Sequence, residues 1–176
     1  DTTDWICLFP ALENLEPETT RQLAQASQSV SLPANQYVFH AGDVCQNFLL
    51  VLDGIVRVQM MSESGREIVL YRVDPGQTCV LTTACLLGHD TYSAEGVSET
   101  AVKAIAIPAP AFHQLMDASA VLRDFVFQSY SGRLASLMML VEEVAFGRID
   151  IRLARFLCER ADTQGVLDTT PSKARR

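Results

Sequence analysis

The sequence predicts a mainly β chain with helices at its flanks: an antiparallel β-roll of the jelly-roll type, short helices before it and one long helix after it. Three observations carry the prediction. Between Val30 and Ile107 the chain breaks into short β-rich runs divided by turn residues, and many short strands at that spacing favour an antiparallel roll over a parallel sheet. Ahead of this stretch, and again behind it, apolar residues recur at helical intervals. With 176 residues the chain can bury one full core and a small annex.

Taken in order, Leu12, Leu15, Leu23 and Ala26 fall at helical spacing, and Pro17-Glu18 suits a helix start, with a preset φ and an acid near the positive end of the helix dipole. The expected strands are Gln36 to Phe39, Phe48 to Leu52, Ile55 to Met60, Glu67 to Val73 and Ala101 to Ile107. Their turns are Ala41-Gly42-Asp43, Asp53-Gly54, Ser62 to Arg66 and Asp74-Pro75-Gly76. A short helix is expected from Pro110, and Ser119 is placed to cap a longer one reaching about Val144. On that helix Phe127, Tyr130, Leu134, Leu137, Val141 and Val144 alternate spacings of three and four, which makes a heptad seam suited to a second copy of the chain. One more helix is expected from Ile149 to Ala161.

Composition excludes several classes. The longest apolar run falls short of the roughly 18 residues a bilayer span requires, and Asp1-Thr2-Thr3-Asp4 lacks the basic start of a signal peptide. A cytoplasmic protein with no membrane partner is expected. Five cysteines (Cys7, Cys45, Cys79, Cys85 and Cys158) are an odd number without a CxxC pair, unlike a disulfide framework or a four-cysteine zinc site. The net charge of -7 supplies no basic footprint for nucleic acid, so any DNA-reading surface is expected elsewhere. His40, His89 and His113 are scattered, and neither HExxH nor GxSxG occurs. Catalysis and a metal site are not expected.

The succession Tyr37-Val38-Phe39-His40-Ala41-Gly42-Asp43, then Phe48 to Val58 through Asp53-Gly54, then Asp74-Pro75-Gly76-Gln77 resembles the cyclic-nucleotide-binding β-roll of CRP/FNR-type transcription regulators. The likeness covers about residues 8 to 165. It implies an effector-sensing roll, a dimerisation helix and a winged helix-turn-helix that reads DNA. It also implies where a nucleotide would sit, since binders of the family carry a Gly-Glu-Leu element for the ribose and, about ten residues later, an Arg-Ser/Thr-Ala element for the phosphate. Here Val80 and Leu81 fall near the first element, followed by Thr82 and Thr83, and Tyr92-Ser93-Ala94 fall near the second. Both charged contacts are missing. An anion buried without a cation costs on the order of several kcal/mol, so the effector is not expected to be cAMP or cGMP.

Other signals of the family leave equally few marks. An iron-sulfur cluster would need grouped cysteines ahead of the roll, where only Cys7 stands; a haem would need Cys and His ligands near residues 79–85, where His89 is the nearest imidazole. Cys79 and Cys85 would form a redox pair if a loop brought their Cα atoms to about 5.5–6 Å; otherwise they are small apolar residues in the wall. The cofactor is left unknown.

The resemblance divides the chain into a sensor roll (1–117), a dimerisation helix (118–146) and the start of a winged helix-turn-helix (147–176). Past Ile149 to Ala161 the sequence runs through Gly165 to Thr170 to Pro171-Ser172-Lys173-Ala174-Arg175-Arg176 with no recognition helix, and the basic tail reads as a solvated end. The expected function is the sensing and dimerising part of a homodimeric regulator that touches DNA only in a full-length form. The alternatives are a truncated module that heterodimerises with full-length regulators through Phe127 to Val144, or a thiol or haem redox sensor.

Overall fold

The computed structural model describes residues 4–62 and 65–146, with side chains as far as residue 139. Two short 3-10 helices, Asp4–Leu8 and Pro10–Leu12, lead into helix α1, Pro17–Ala26. Seven strands follow: β1 Gln28–Leu32, β2 Tyr37–Phe39, β3 Asn47–Asp53, β4 Val56–Met61, β5 Glu67–Val73, β6 Glu95–Ser98 and β7 Val102–Pro108. Helix α2, Val80–Gly88, interrupts them between β5 and β6. Helices α3, Ala109–Ala118, and α4, Ala120–Phe146, close the described chain. All strand pairs are antiparallel and form two sheets, β1-β7-β3 and β2-β6-β4-β5. The expected roll is present.

Register assigns the faces of the three-stranded sheet. Val30 pairs with Ala104, and Leu49 and Val51 pair with Ala106 and Ala104, so these residues share one face with Leu32. Phe48, Leu50, Ile105 and Ile107 share the other. That second face carries the helical layer, where Phe48 stacks on Phe112 of α3 with ring centroids 4.7 Å apart. Phe9, Leu12, Leu23 and Leu122 belong to the same core cluster. Both faces being covered explains why β7 is apolar at nearly every position.

Gly54 makes the corner from β3 to β4 with φ +79°, and an added Cβ would lie 2.0 Å from the Ala101 carbonyl oxygen. No side chain fits there. Ser119, fully buried, caps α4 through its hydroxyl, which accepts from the Leu122 amide and donates to the Glu16 carboxylate at 2.8 Å.

Residues Asp1–Arg133 form one compact unit and Leu134–Arg176 a second. Within the first, Leu122, Phe125 and Val126 of α4 are buried, and Phe125 meets Phe9 edge-on. The seam residues are not on that stripe. Phe127 is 49% exposed, Tyr130 is half-buried, and in the second unit Leu134 is 45% exposed and Leu137 half-buried. The side chains of Val141 and Val144, the helix expected at Ile149 to Ala161, Cys158 and the basic tail lie outside the described residues.

Candidate functional site

Helix α2 occupies the segment where the resemblance locates an effector. It is largely apolar, and one side of it is sunk into the roll: Thr82, Thr83, Cys85 and Leu86 are all buried. A buried helix must have its polar groups satisfied locally. Thr83 does this by donating from Oγ1 to the Cys79 carbonyl at 3.0 Å, one turn back. At the other end the backbone turns left-handed at His89 (φ 52°), whose amide donates to the Cys85 carbonyl.

Two tyrosine hydroxyls fasten this helix. Tyr71, reaching in from β5, accepts a hydrogen bond from the Leu81 amide at 3.0 Å and contacts Cys79 Sγ at 3.7 Å. It thereby occupies a first-turn amide of the kind that binds anions at helix starts. Tyr92 lies under the same helix, its hydroxyl 3.2 Å from Thr82 Oγ1 and 3.0 Å from Cys45 Sγ. Its ring stacks on Phe39 at 3.9 Å, with the planes 7° apart. Gly96 is required beside that pair, since a Cβ there would come within 2.5 Å of Phe39 Cε1. Burial pushes both phenols well above their ordinary pKa, the neighbouring thiols Cys79 and Cys45 adding to the effect, so both stay neutral hydrogen-bonding groups.

One cation stands at this site. Arg133 of α4 places its guanidinium carbon 5.4 Å from the centre of the Tyr71 ring and donates to the Gln77 side chain at 2.9 Å and to the Arg72 carbonyl. The same Gln77 oxygen accepts from the Asp74 amide at 3.2 Å. The strand-to-helix corner, the Tyr71 ring and the middle of α4 are thus one connected group.

Of the residues singled out in the sequence, Thr82 and Tyr92 are brought together, and Val80, Leu81 and Thr83 share their helix. Ala94 is buried beside them in the core, whereas Ser93 is exposed. The redox pair is a correction. Cys79 caps α2 and Cys85 lies six residues along it, a rise of about 9 Å, beyond the roughly 7 Å that a disulfide tolerates between Cα atoms. Both are free thiols. Burial raises Cys85 to about 11, with a smaller contribution from Cys45, and burial also raises Cys45, so neither is a thiolate at neutral pH. Among the described residues no group of three His, Cys, Asp or Glu side chains is placed to hold a metal ion.

Sequence reasoning gave no site role to Tyr71, Gln77, Cys45 or Phe39. A signal was available for Tyr71: it is the one aromatic in a strand otherwise built of aliphatic and charged residues.

Residues 29–119 match the cyclic nucleotide-binding domain. The chain belongs to that family. Its fold is also that of regulators built on the domain. It is similar to a protein of Eubacterium rectale assigned to the CRP/FNR transcriptional regulators, at 24% identity and a TM-score of 0.72, over 90% of this chain and 74% of that one. The catabolite activator protein of Thermus thermophilus aligns at 22% identity and a TM-score of 0.64, over 78% of this chain and 63% of its own. The sensor domain of the transcriptional regulator DNR of Pseudomonas aeruginosa aligns at 17% identity and 0.60, over 84% and 92%. No curated protein sequence matches the chain. Among the described residues no helix is long and apolar enough to cross a membrane.

Proposed function

We propose that the chain is the effector-sensing and dimerising part of a CRP/FNR-type DNA-binding transcription regulator whose effector is not a cyclic nucleotide. The observation that carries the reading is the pair of tyrosines whose hydroxyls contact α2. Tyr92 stands where the family's phosphate-binding arginine is expected, with its hydroxyl turned to Thr82 and Cys45. Tyr71 already holds the Leu81 amide, and Arg133 is engaged by Gln77 and the Arg72 carbonyl. A cyclic phosphate would have to break these contacts, and among the described residues at α2 it would gain no free cation in return.

The seam supports homodimerisation, because Phe127 and Tyr130 in the first unit, and Leu134 and Leu137 in the second, remain exposed or half-buried. A signal at α2 would bear on α4 through Tyr71 and Arg133 and shift a dimer between two packings. Calorimetric titration with cAMP and cGMP tests the effector reading: no saturable heat is expected, and micromolar affinity for either would overturn it. Light scattering tests assembly. Wild type is expected to be dimeric at micromolar concentration and Leu134→Glu with Leu137→Glu monomeric, since charges would be buried in the seam; a monomeric wild type would end the dimer reading.

A further inference from the structure

A further unfilled space in the roll is lined by no residue of α2 itself. A cavity of about 600 Å³ opens between the two sheets, well inside the range of small-molecule sites. Val30, Leu32, Leu49 and Ala106 form one wall, all from the inward face of β1-β7-β3 assigned by register. Val38, Phe39 and Tyr92 form the other. The aliphatic side chains Val30, Leu32, Val38 and Leu49 are only half-buried, so the core leaves apolar surface facing this space. The mouth is polar: Asp43, Gln46 and Asn47 line it, and Asp43 is the only charged residue among the lining. Asp43 is also oriented, since its Oδ2 accepts the His40 amide at 2.8 Å. A carboxylate has about four acceptor positions, so one backbone bond leaves room for another donor.

We infer that this cleft binds a small, flat, apolar molecule carrying a cationic amine, with its body between Leu49 and the Phe39–Tyr92 pair and its ammonium group at Asp43. An apolar body is selected by the walls, and a positive end by the lone carboxylate; an anion of equal shape would meet an unpaired negative charge at the entrance. The consequence for signalling rests on the sensor reading above. Tyr92 lines this cleft and turns its hydroxyl to Thr82 and Cys45, so a molecule seated against Tyr92 bears on the fastening of α2.

The test uses the full chain and two probes of matched size, 1-naphthylmethylamine, which is cationic at neutral pH, and 1-naphthaleneacetate, which is anionic. Calorimetric titration is expected to give saturable binding of the cation and at least tenfold weaker binding of the anion. In Asp43→Asn, which keeps an oxygen for the His40 amide, that preference is expected to fall to within about twofold. Leu49→Trp, filling the cleft, is expected to abolish binding of both; Val30→Trp at the more open edge serves if the first variant fails to fold by circular dichroism. No saturable binding of the cation, equal binding of the two ions, or unchanged binding in the filled variant overturns the site. Hydrogen exchange of the α2 amides reports the coupling: slower exchange in the presence of the amine is expected, and binding without it overturns the link through Tyr92. None of these readouts depends on cyclic nucleotide or on DNA, so this site and the regulator reading fail separately.

Discussion

Strands β5 and β7 are each seven residues long and largely apolar, yet β7 buries Val102, Ala104, Ile105, Ala106 and Ile107, whereas β5 leaves Ile68, Val69 and Leu70 exposed. The difference is one of place. β7 is the middle strand of its sheet, with helices on one face and the roll interior on the other; β5 is the edge of β2-β6-β4-β5, and only Tyr71 and Val73, at its far end, turn into the core. Met60 and Met61, across the hairpin from β5, are exposed as well. Apolar composition therefore marks a strand without saying whether its own chain covers it. A contiguous exposed apolar edge is characteristic of surfaces that meet another molecule.

The largest expected effect separates these strands directly. Ile105→Ala should cost about 2–5 kcal/mol by denaturant unfolding, the range for emptying a packed core position. Ile68→Ala, removing a side chain that water already reaches, should stay within about 0.5 kcal/mol. Equal losses at the two positions would break the comparison, and a loss at Ile68 that grows with protein concentration would show that a second molecule covers the edge.

A smaller effect is expected at the corner that feeds the hairpin. Gly54→Ala combines a left-handed φ with a Cβ placed against the Ala101 carbonyl, so a loss of roughly 1–3 kcal/mol is expected. Gly42 has a similar φ (+88°) but nothing within 4 Å of an added Cβ. Gly42→Ala should lose less, about 1–2 kcal/mol, from backbone strain alone. Chemical denaturation of both variants gives the ordering; Gly42→Ala losing as much as Gly54→Ala would remove the close contact from the account.

The strands expected from alternation and turn glycines are present, with β5 at the expected bounds and the others shifted by a residue or so. Those not foreseen were not legible for physical reasons. β1 reads Gln-Ser-Val-Ser-Leu and β6 reads Glu-Gly-Val-Ser; each is short, and each owes its place to a neighbour, β7 for the first and β2 and β4 for the second. α2 was hidden differently. Val80–Gly88 has no polar face and several β-branched residues, so periodicity could not tell a buried helix from a strand. With the helix unseen, the spacing of Cys79 and Cys85 carried no distance, and a bridge remained open that the helical rise closes. The candidate pocket residues were located by ordered resemblance, but their partners were not: Tyr71 and Arg133 lie 62 residues apart and meet only in the folded chain.

Tyr71 divides β5 into its exposed and buried parts, and its hydroxyl sets the next effect. In Tyr71→Phe the ring stays while the Leu81 amide loses its acceptor, a loss of about 0.5–1.5 kcal/mol if water or a neighbour takes up part of the role. Local opening should be more sensitive than global stability, so exchange of the Leu81 amide should quicken while that of β7 changes little. Unchanged exchange at Leu81 would mean that α2 is held without the tyrosine.

The smallest expected effect lies on the outer side of the same strand, where Arg72 and Glu99 form an exposed ion pair at 2.7 Å. Arg72 holds the Glu99 carboxyl below its ordinary carboxylate range, chiefly through the hydrogen bond between them. The sign follows from linkage: a carboxyl with a lowered folded pKa favours the folded state above its unfolded pKa, and this contribution is lost as pH falls through the lowered value. Wild type and Glu99→Gln should therefore differ slightly in melting temperature near neutral pH, and the difference should shrink as pH drops from about 5 to about 3. Because both side chains face water, added salt should shrink it too. A difference that persisted in acid and in high salt would show that Glu99 acts by packing rather than charge, and would place this outer edge of β5 among covered surfaces instead of exposed ones.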